Sequence, residues 1–84
     1  MKTEKECKEF IKNENNWVVI SQTDNVRTLE IRYKGVSAFR QEKLRDGKWR
    51  KDFWYRFNPA YKPVKMDIRD FVAFLEMIDK QRPD

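Results

Sequence analysis

Basic and aromatic side chains are interleaved in residues 36–57, and side chains of these two types together are suited to binding nucleic acid. Guanidinium and ammonium groups attract phosphates, and an exposed ring offers a base a stacking surface worth roughly 1–3 kcal/mol. The charge excess lies in the same part of the chain, since residues 27–56 hold ten Lys or Arg against four Asp or Glu. The flanking ranges 1–16 and 57–84 are each neutral overall. The sequence therefore predicts an anionic partner for this stretch.

Side chains that commonly support catalysis are scarce. The chain has no histidine and one cysteine, Cys7, so it cannot supply the Cys and His ligands of a structural zinc site. Two glycines, Gly35 and Gly47, are too few for a glycine-rich phosphate loop. The carboxylates alternate with Lys or Arg, as on solvated surfaces, and form no clear acid/base pair. We expect a protein that is not an enzyme and that needs no cofactor or metal.

Length and composition favour one small domain over residues 1–84, with enough apolar residues for a core. A single cysteine allows no intramolecular disulfide, which favours a reducing compartment. The first residues have no apolar stretch of signal-peptide length, and no window is long enough to span a membrane. We therefore expect a cytoplasmic protein with no membrane partner.

Two helices are predicted, one near each end of the chain. Thr3 and Glu6 fit a capping box that opens a short helix over residues 3–13, and this helix carries a narrow apolar stripe. Asp67 is a suitable N-cap for a longer helix over residues 67–80, with Asp70 favourably placed for the helix dipole. Residues 58–66, with Pro59 and Pro63, are predicted to be a connector.

Between the helices, the apolar period changes to two, and three pairs mark turns: Asp24-Asn25, Lys34-Gly35 and Asp46-Gly47. Asp46-Gly47 is the strongest signal, because a type I′ turn needs positive φ at both central residues. Two-residue loops at all three pairs give a four-stranded antiparallel meander over residues 17–57. The predicted class is α+β, with a short N-terminal helix and a longer C-terminal helix that packs on the apolar face of this sheet.

These registers divide the strand residues between two faces. The face that is predicted to form the core collects Val18, Ile20, Leu29, Ile31, Tyr33, Val36, Ala38, Leu44, Trp49, Phe53, Tyr55 and Phe57. Arg40, opposite Phe53, and the Glu42/Lys51 pair are polar exceptions near the tip of the last hairpin.

The opposite face is the candidate site, with Phe39 and Trp54 side by side at its centre. Its other predicted nucleic-acid-binding residues are Arg32, Lys43, Arg50, Arg56 and Trp17 on the strands, and Arg45 and Lys48 beside the last turn. Two alternatives give Phe39 and Trp54 a purely structural role: an ordinary cross-strand aromatic pair, or burial beneath the N-terminal helix.

The C-terminal region resembles a known family. Lys62-Pro63 and the run from Lys65 to Phe71, continuing to Leu75 and Ile78, resemble the last strand-to-helix passage of the transcriptional coactivators called positive cofactor four. The resemblance covers about a quarter of the chain. It implies a curved four-stranded sheet followed by a helix, dimerisation through the helices, and binding of single-stranded DNA on the sheet. The element order is also similar to that of double-stranded-RNA-binding domains, but acidic Asp67 and Asp70 stand where those domains have a basic motif.

Two classes of function fit these observations. The first is a nucleic-acid-binding module that prefers single-stranded DNA or RNA, because no recognition helix for duplex DNA is evident. The second is a small inhibitor or adaptor, of the type that phages and mobile elements encode, which docks its basic hairpin on an acidic protein surface. A homodimer through the C-terminal helix, with Met66, Ala73 and Met77 as the contact stripe, is compatible with either.

Overall fold

The computed structural model describes residues 3–82 and has an α+β architecture, with one antiparallel sheet and two helices. The elements in chain order are α1 (Glu4–Lys12), β1 (Trp17–Gln22), β2 (Val26–Tyr33), β3 (Val36–Arg45), β4 (Lys48–Phe57), β5 (Pro63–Met66) and α2 (Ile68–Gln81). Within the described residues each strand pairs with its neighbour in sequence, so the sheet order is β1-β2-β3-β4-β5. The α+β class, with an antiparallel sheet and two helices, is confirmed.

The sheet has five strands, and the prediction of four was wrong. Residues within the predicted connector 58–66 form β5, which pairs with β4 from Trp54 opposite Met66 to Phe57 opposite Pro63. Proline lacks a backbone donor, but it is tolerated at the first residue of an edge strand, and Pro63 occupies that position.

Both helices begin at the predicted cap residues. The Thr3 hydroxyl accepts a hydrogen bond from the Glu6 backbone N–H at 3.1 Å. Asp67 and Asp70 form a reciprocal capping box, in which each carboxylate accepts from the other residue's backbone N–H. These bonds satisfy amides that have no partner within the helix.

Both helices pack on the same side of the sheet, here called the covered face, and the other side is the open face. Phe71 of α2 is fully buried and makes edge-on ring contacts with Trp17 and Trp54. Cys7 and Ile11 bring the apolar stripe of α1 into the same core, and burial raises the pKa of the Cys7 thiol. In residues 3–82, neither helix has the length and apolar character needed to cross a membrane.

The central hairpin has the predicted register throughout, from Tyr33 opposite Val36 to Val26 opposite Lys43. The turn that joins its two strands contains Lys34 and Gly35, both with positive φ. Leu29, Ile31 and Ala38 consequently lie on the covered face and are buried, as predicted.

The last hairpin has the predicted register only near its turn. Pairing runs from Arg45 opposite Lys48 to Glu42 opposite Lys51, and Asp52 then has no partner on β3. This β-bulge shifts the remainder of β4 by one residue, and a shift of one residue moves every side chain to the other face.

The shift reverses the predicted faces of β4 beyond Asp52. Arg40 lies opposite Trp54 and not Phe53, and Phe39 lies opposite Tyr55. The residues that move from the predicted core to the open face are Phe53, Tyr55 and Phe57, and those that move to the covered face are Trp54 and Arg56.

The first hairpin shows the same behaviour. Ser21 and Gln22 pair with Thr28 and Arg27 as predicted, but Ile20 is unpaired, and Trp17 lies opposite Ile31. Consequently Trp17 is buried in the core, whereas Val18 faces away from the helices; the sequence predicts the reverse for both. Val19 likewise lies on the covered side.

Candidate nucleic-acid interface

Four aromatic rings meet on the open face, where neither helix covers them. Phe39 and Tyr55 stack with ring centroids 5.3 Å apart and 24° between their planes. Phe57 lies edge-on to both, at 5.4 and 5.7 Å, and Phe53 lies 5.7 Å from Tyr55. We call Phe39, Phe53, Tyr55 and Phe57 the aromatic cluster.

The strands of the last hairpin hold the cluster together. Phe53, Tyr55 and Phe57 alternate along β4 and therefore share a face, and pairing with β3 brings Phe39 opposite Tyr55. The rings shield one another, so that three are half-buried, while Phe57 remains 45% exposed. Burial raises the pKa of the Tyr55 phenol, which therefore stays protonated at neutral pH.

A shallow cleft of about 350 Å³ opens beside the cluster. Its lining residues come from β3, β4 and β5, and they are Gln41, Phe53, Tyr55, Phe57, Pro63 and Lys65. The Lys65 ammonium lies 4.6 Å from the centre of the Phe53 ring. Gln41 adds an amide that both donates and accepts hydrogen bonds. The cleft thus combines apolar walls with one cation and one neutral polar group.

Cations border the cluster toward the hairpin turn. Lys43 and Arg50 face each other across β3 and β4, and Arg45 and Lys48 do so beside the turn; all four are exposed. Lys43 is 3.4 Å from the Asp52 carboxylate, and such exposed ion pairs contribute little to stability. An incoming phosphate can therefore compete for these cations at low cost.

Arg32 lies on the open face of β2, away from the turn, and its side chain is exposed. It is 3.8 Å from Glu30, whose carboxylate also accepts a hydrogen bond from Ser37. The local negative charge of Glu30 makes this side of the open face less basic than the side near Lys43.

Three residues of the predicted site lie elsewhere. Trp54 is on the covered face. The centre of its ring lies 5.4 Å from the centre of the Phe71 ring and 3.8 Å from the Lys51 ammonium. Arg56 is on that face too, with its guanidinium 5.7 Å from the centre of the Phe74 ring.

The third, Trp17, is buried in the core. Its indole Nε1 donates to the Ile11 carbonyl at 2.7 Å. Neither structural alternative holds as predicted. Trp54 packs on the C-terminal helix α2 and not beneath the N-terminal helix, and Phe39 forms its cross-strand pair with Tyr55 and not with Trp54.

The predicted residues that the structure does bring to the open face are Phe39, Arg32, Lys43, Arg50, Arg45 and Lys48. Those that the sequence analysis missed are Phe53, Tyr55, Phe57, Gln41 and Lys65. The i, i+2 spacing of the three β4 aromatics was a usable signal that they share a face, but it did not indicate which one.

Some basic residues of the sheet are committed to ion pairs on the covered side. The buried Glu42 carboxylate binds Arg27 through one oxygen and lies 3.0 Å from Arg40 Nε through the other. Arg40 also contacts Glu14 at 2.8 Å and lies over the Trp17 ring. These guanidinium groups hold the hairpin on the body of the protein and are not available to a ligand on the open face.

No group of three or more Cys, Asp or Glu side chains within residues 3–82 is placed to hold a metal ion. Comparison with models of known protein families, with curated proteins and with solved structures gave no match to this chain.

Proposed function

We propose that the protein binds single-stranded nucleic acid on the open face of its sheet. The observation that carries the proposal is an uncovered cluster of four aromatic rings with Lys43, Arg50 and Lys65 at its border. Rings of this kind stack with bases of any sequence, and the neighbouring ammonium and guanidinium groups attract the backbone phosphates.

The geometry favours one unpaired strand over a duplex. In a duplex, the flat faces of the bases are stacked on one another, so rings on a sheet cannot reach them. The apolar side of α2 is packed in the core, with Phe71, Leu75 and Ile78 buried, and α2 is therefore not presented as a recognition helix.

The cleft beside the cluster is the place we assign to one base. Phe57 and Phe53 form its walls, Gln41 offers hydrogen bonds to a base edge, and Lys65 lies close enough to meet the adjoining phosphate. Phe57 is the most exposed ring and is expected to provide most of the accessible stacking surface.

The test is a binding screen with single- and double-stranded DNA and RNA, read by fluorescence anisotropy of labelled oligonucleotides at two salt concentrations. We expect binding to single strands that weakens as salt rises, because phosphate contacts release counterions. Absence of binding at low salt, or a preference for duplexes, contradicts the proposal.

A second candidate function uses the hairpin tip and not the cluster. The side chains of residues 43–48 are all exposed, and they present Lys43, Arg45 and Lys48 to solvent. This surface suits docking on an acidic protein site. The test is stoichiometric capture of an acidic protein. If the double variant Arg45→Glu, Lys48→Glu loses this capture and Phe57→Ala retains it, the result supports this function over nucleic-acid binding.

A further inference from the structure

The outer edge of the sheet at β1 is apolar and unprotected. Val18, Val19 and Ile20 are 61%, 43% and 51% exposed, although all three are large apolar residues in a regular strand. Residues 15–23 contain no charged side chain, the longest such run in a chain that is 39% charged.

The opposite edge of the same sheet is protected in the usual ways. β5 is only four residues long, begins with Pro63 and carries the exposed Lys65. Short length, proline and lysine all discourage the pairing of an edge strand with another chain. β1 is six residues long and has neither proline nor lysine; the bulge at Ile20 interrupts it but leaves Trp17–Val19 regular.

Both sides of β1 contribute to the exposed apolar surface. Val18 lies opposite Glu30 and faces the open side, whereas Val19 lies opposite Leu29 and faces the helices. Val19 remains exposed on the helix side, so the helices do not cover the edge there. A strand added to this edge would therefore find apolar contacts above and below.

We propose that β1 pairs in antiparallel orientation with β1 of a second copy of this chain. A two-fold axis through the edge places the same apolar residues opposite one another, as an isologous interface requires. The added strand would bond the backbone groups of β1 that point away from β2.

The charge distribution favours a second copy of this chain as the partner that pairs with the β1 edge. Each copy carries a net charge of +5, but the excess lies within residues 27–56, and residues 1–16 are neutral overall. Two copies joined at β1 therefore keep their basic hairpins apart and bring uncharged strands together. An acidic or basic peptide would find no complementary charge on this edge.

Sedimentation velocity over a range of protein concentrations, without oligonucleotide, tests the interface independently of nucleic-acid binding. We expect a reversible monomer–dimer equilibrium in the unmodified protein. Val19→Lys should weaken dimerisation by about tenfold or more, because a lysine on an edge strand discourages its pairing with another chain.

Met77→Lys is the matched control, because Met77 on α2 is also apolar and 43% exposed. It should leave the equilibrium unchanged. If Val19→Lys fails to fold by circular dichroism, Val18→Lys at a more exposed position replaces it. The proposal is overturned if the protein is a monomer at every concentration, or if the folded β1 variant dimerises as well as the unmodified protein. A dimer that is lost only on Met77→Lys would also overturn it and would indicate a helix interface.

Discussion

Phe39 and Tyr55 lie directly opposite each other on β3 and β4, and their rings stack on the face of the sheet that carries no helix. This pairing depends on the bulge at Asp52, because an uninterrupted register would place Trp54 opposite Phe39. The bulge therefore determines which aromatic residues form the core and which remain available to a ligand. Bulges commonly re-aim side chains beside functional sites.

Trp54→Ala should lower stability and leave the affinity of the folded protein for single strands unchanged. The Trp54 ring packs against buried Phe71, so its loss removes core contacts and leaves a cavity. We expect the free energy of unfolding to fall by about 2–3 kcal/mol, below the full cost for a wholly buried tryptophan. Urea denaturation and anisotropy on the same samples would measure both quantities, and a loss of affinity without a loss of stability would place Trp54 in the interface after all.

Tryptophan emission should change little when a single strand binds. Trp17 and Trp54 lie on the covered face, and Trp49 lies beneath the Arg27 guanidinium on that same side. Bases stacked on the aromatic cluster are therefore separated from all three indoles by the sheet. Fluorescence titration at saturating oligonucleotide checks this, and strong quenching would indicate that the ligand occupies the covered side.

The cations at the border of the cluster should set the salt dependence of binding. Replacing Lys43, Arg50 or Lys65 singly by Ala should reduce the slope of log K against log salt by about 0.7, the value for one phosphate contact on a single strand. Lys8→Ala is the control, because Lys8 lies on α1 and pairs with Glu4. Equal slopes for all variants would show that these residues do not contact phosphates.

Glu42→Ala should destabilise the fold without changing any residue of the proposed interface. Glu42 neutralises Arg40 in a buried position, and removing one partner of a buried ion pair typically costs about 3–5 kcal/mol. Glu14→Ala should cost much less, because the Glu14 side chain is largely exposed. Urea denaturation measures the free energy of unfolding of both variants. Comparable losses of this free energy would refute the assignment of Glu42 as the central residue of these ion pairs.

Sequence reasoning succeeded where local signals were sufficient. Thr3 and Asp67 cap the helices as predicted, and the Lys34-Gly35 turn fixes the central hairpin completely.

The faces of the outer strands could not be predicted, because their sequences do not alternate. Apart from Arg56, residues 53–57 are aromatic at both odd and even positions, and residues 17–20 are apolar throughout. Either register therefore buries apolar side chains, and the pattern cannot reveal an unpaired residue such as Ile20 or Asp52. Packing against α2 selects Trp17 and Trp54 for the core, and that contact joins residues far apart in the chain.

The affinity of Phe57→Ala for a single-stranded oligonucleotide tests the central claim most directly. Phe57 is the most exposed ring of the cluster, so its loss should weaken binding by roughly 1–3 kcal/mol, or about 5- to 150-fold, with little change in thermal stability. Tyr61→Ala is the matched control, because Tyr61 is 86% exposed but lies outside the cluster. Weakened binding by Phe57→Ala alone supports the open face as the interface, whereas an affinity equal to that of the unmodified protein contradicts it.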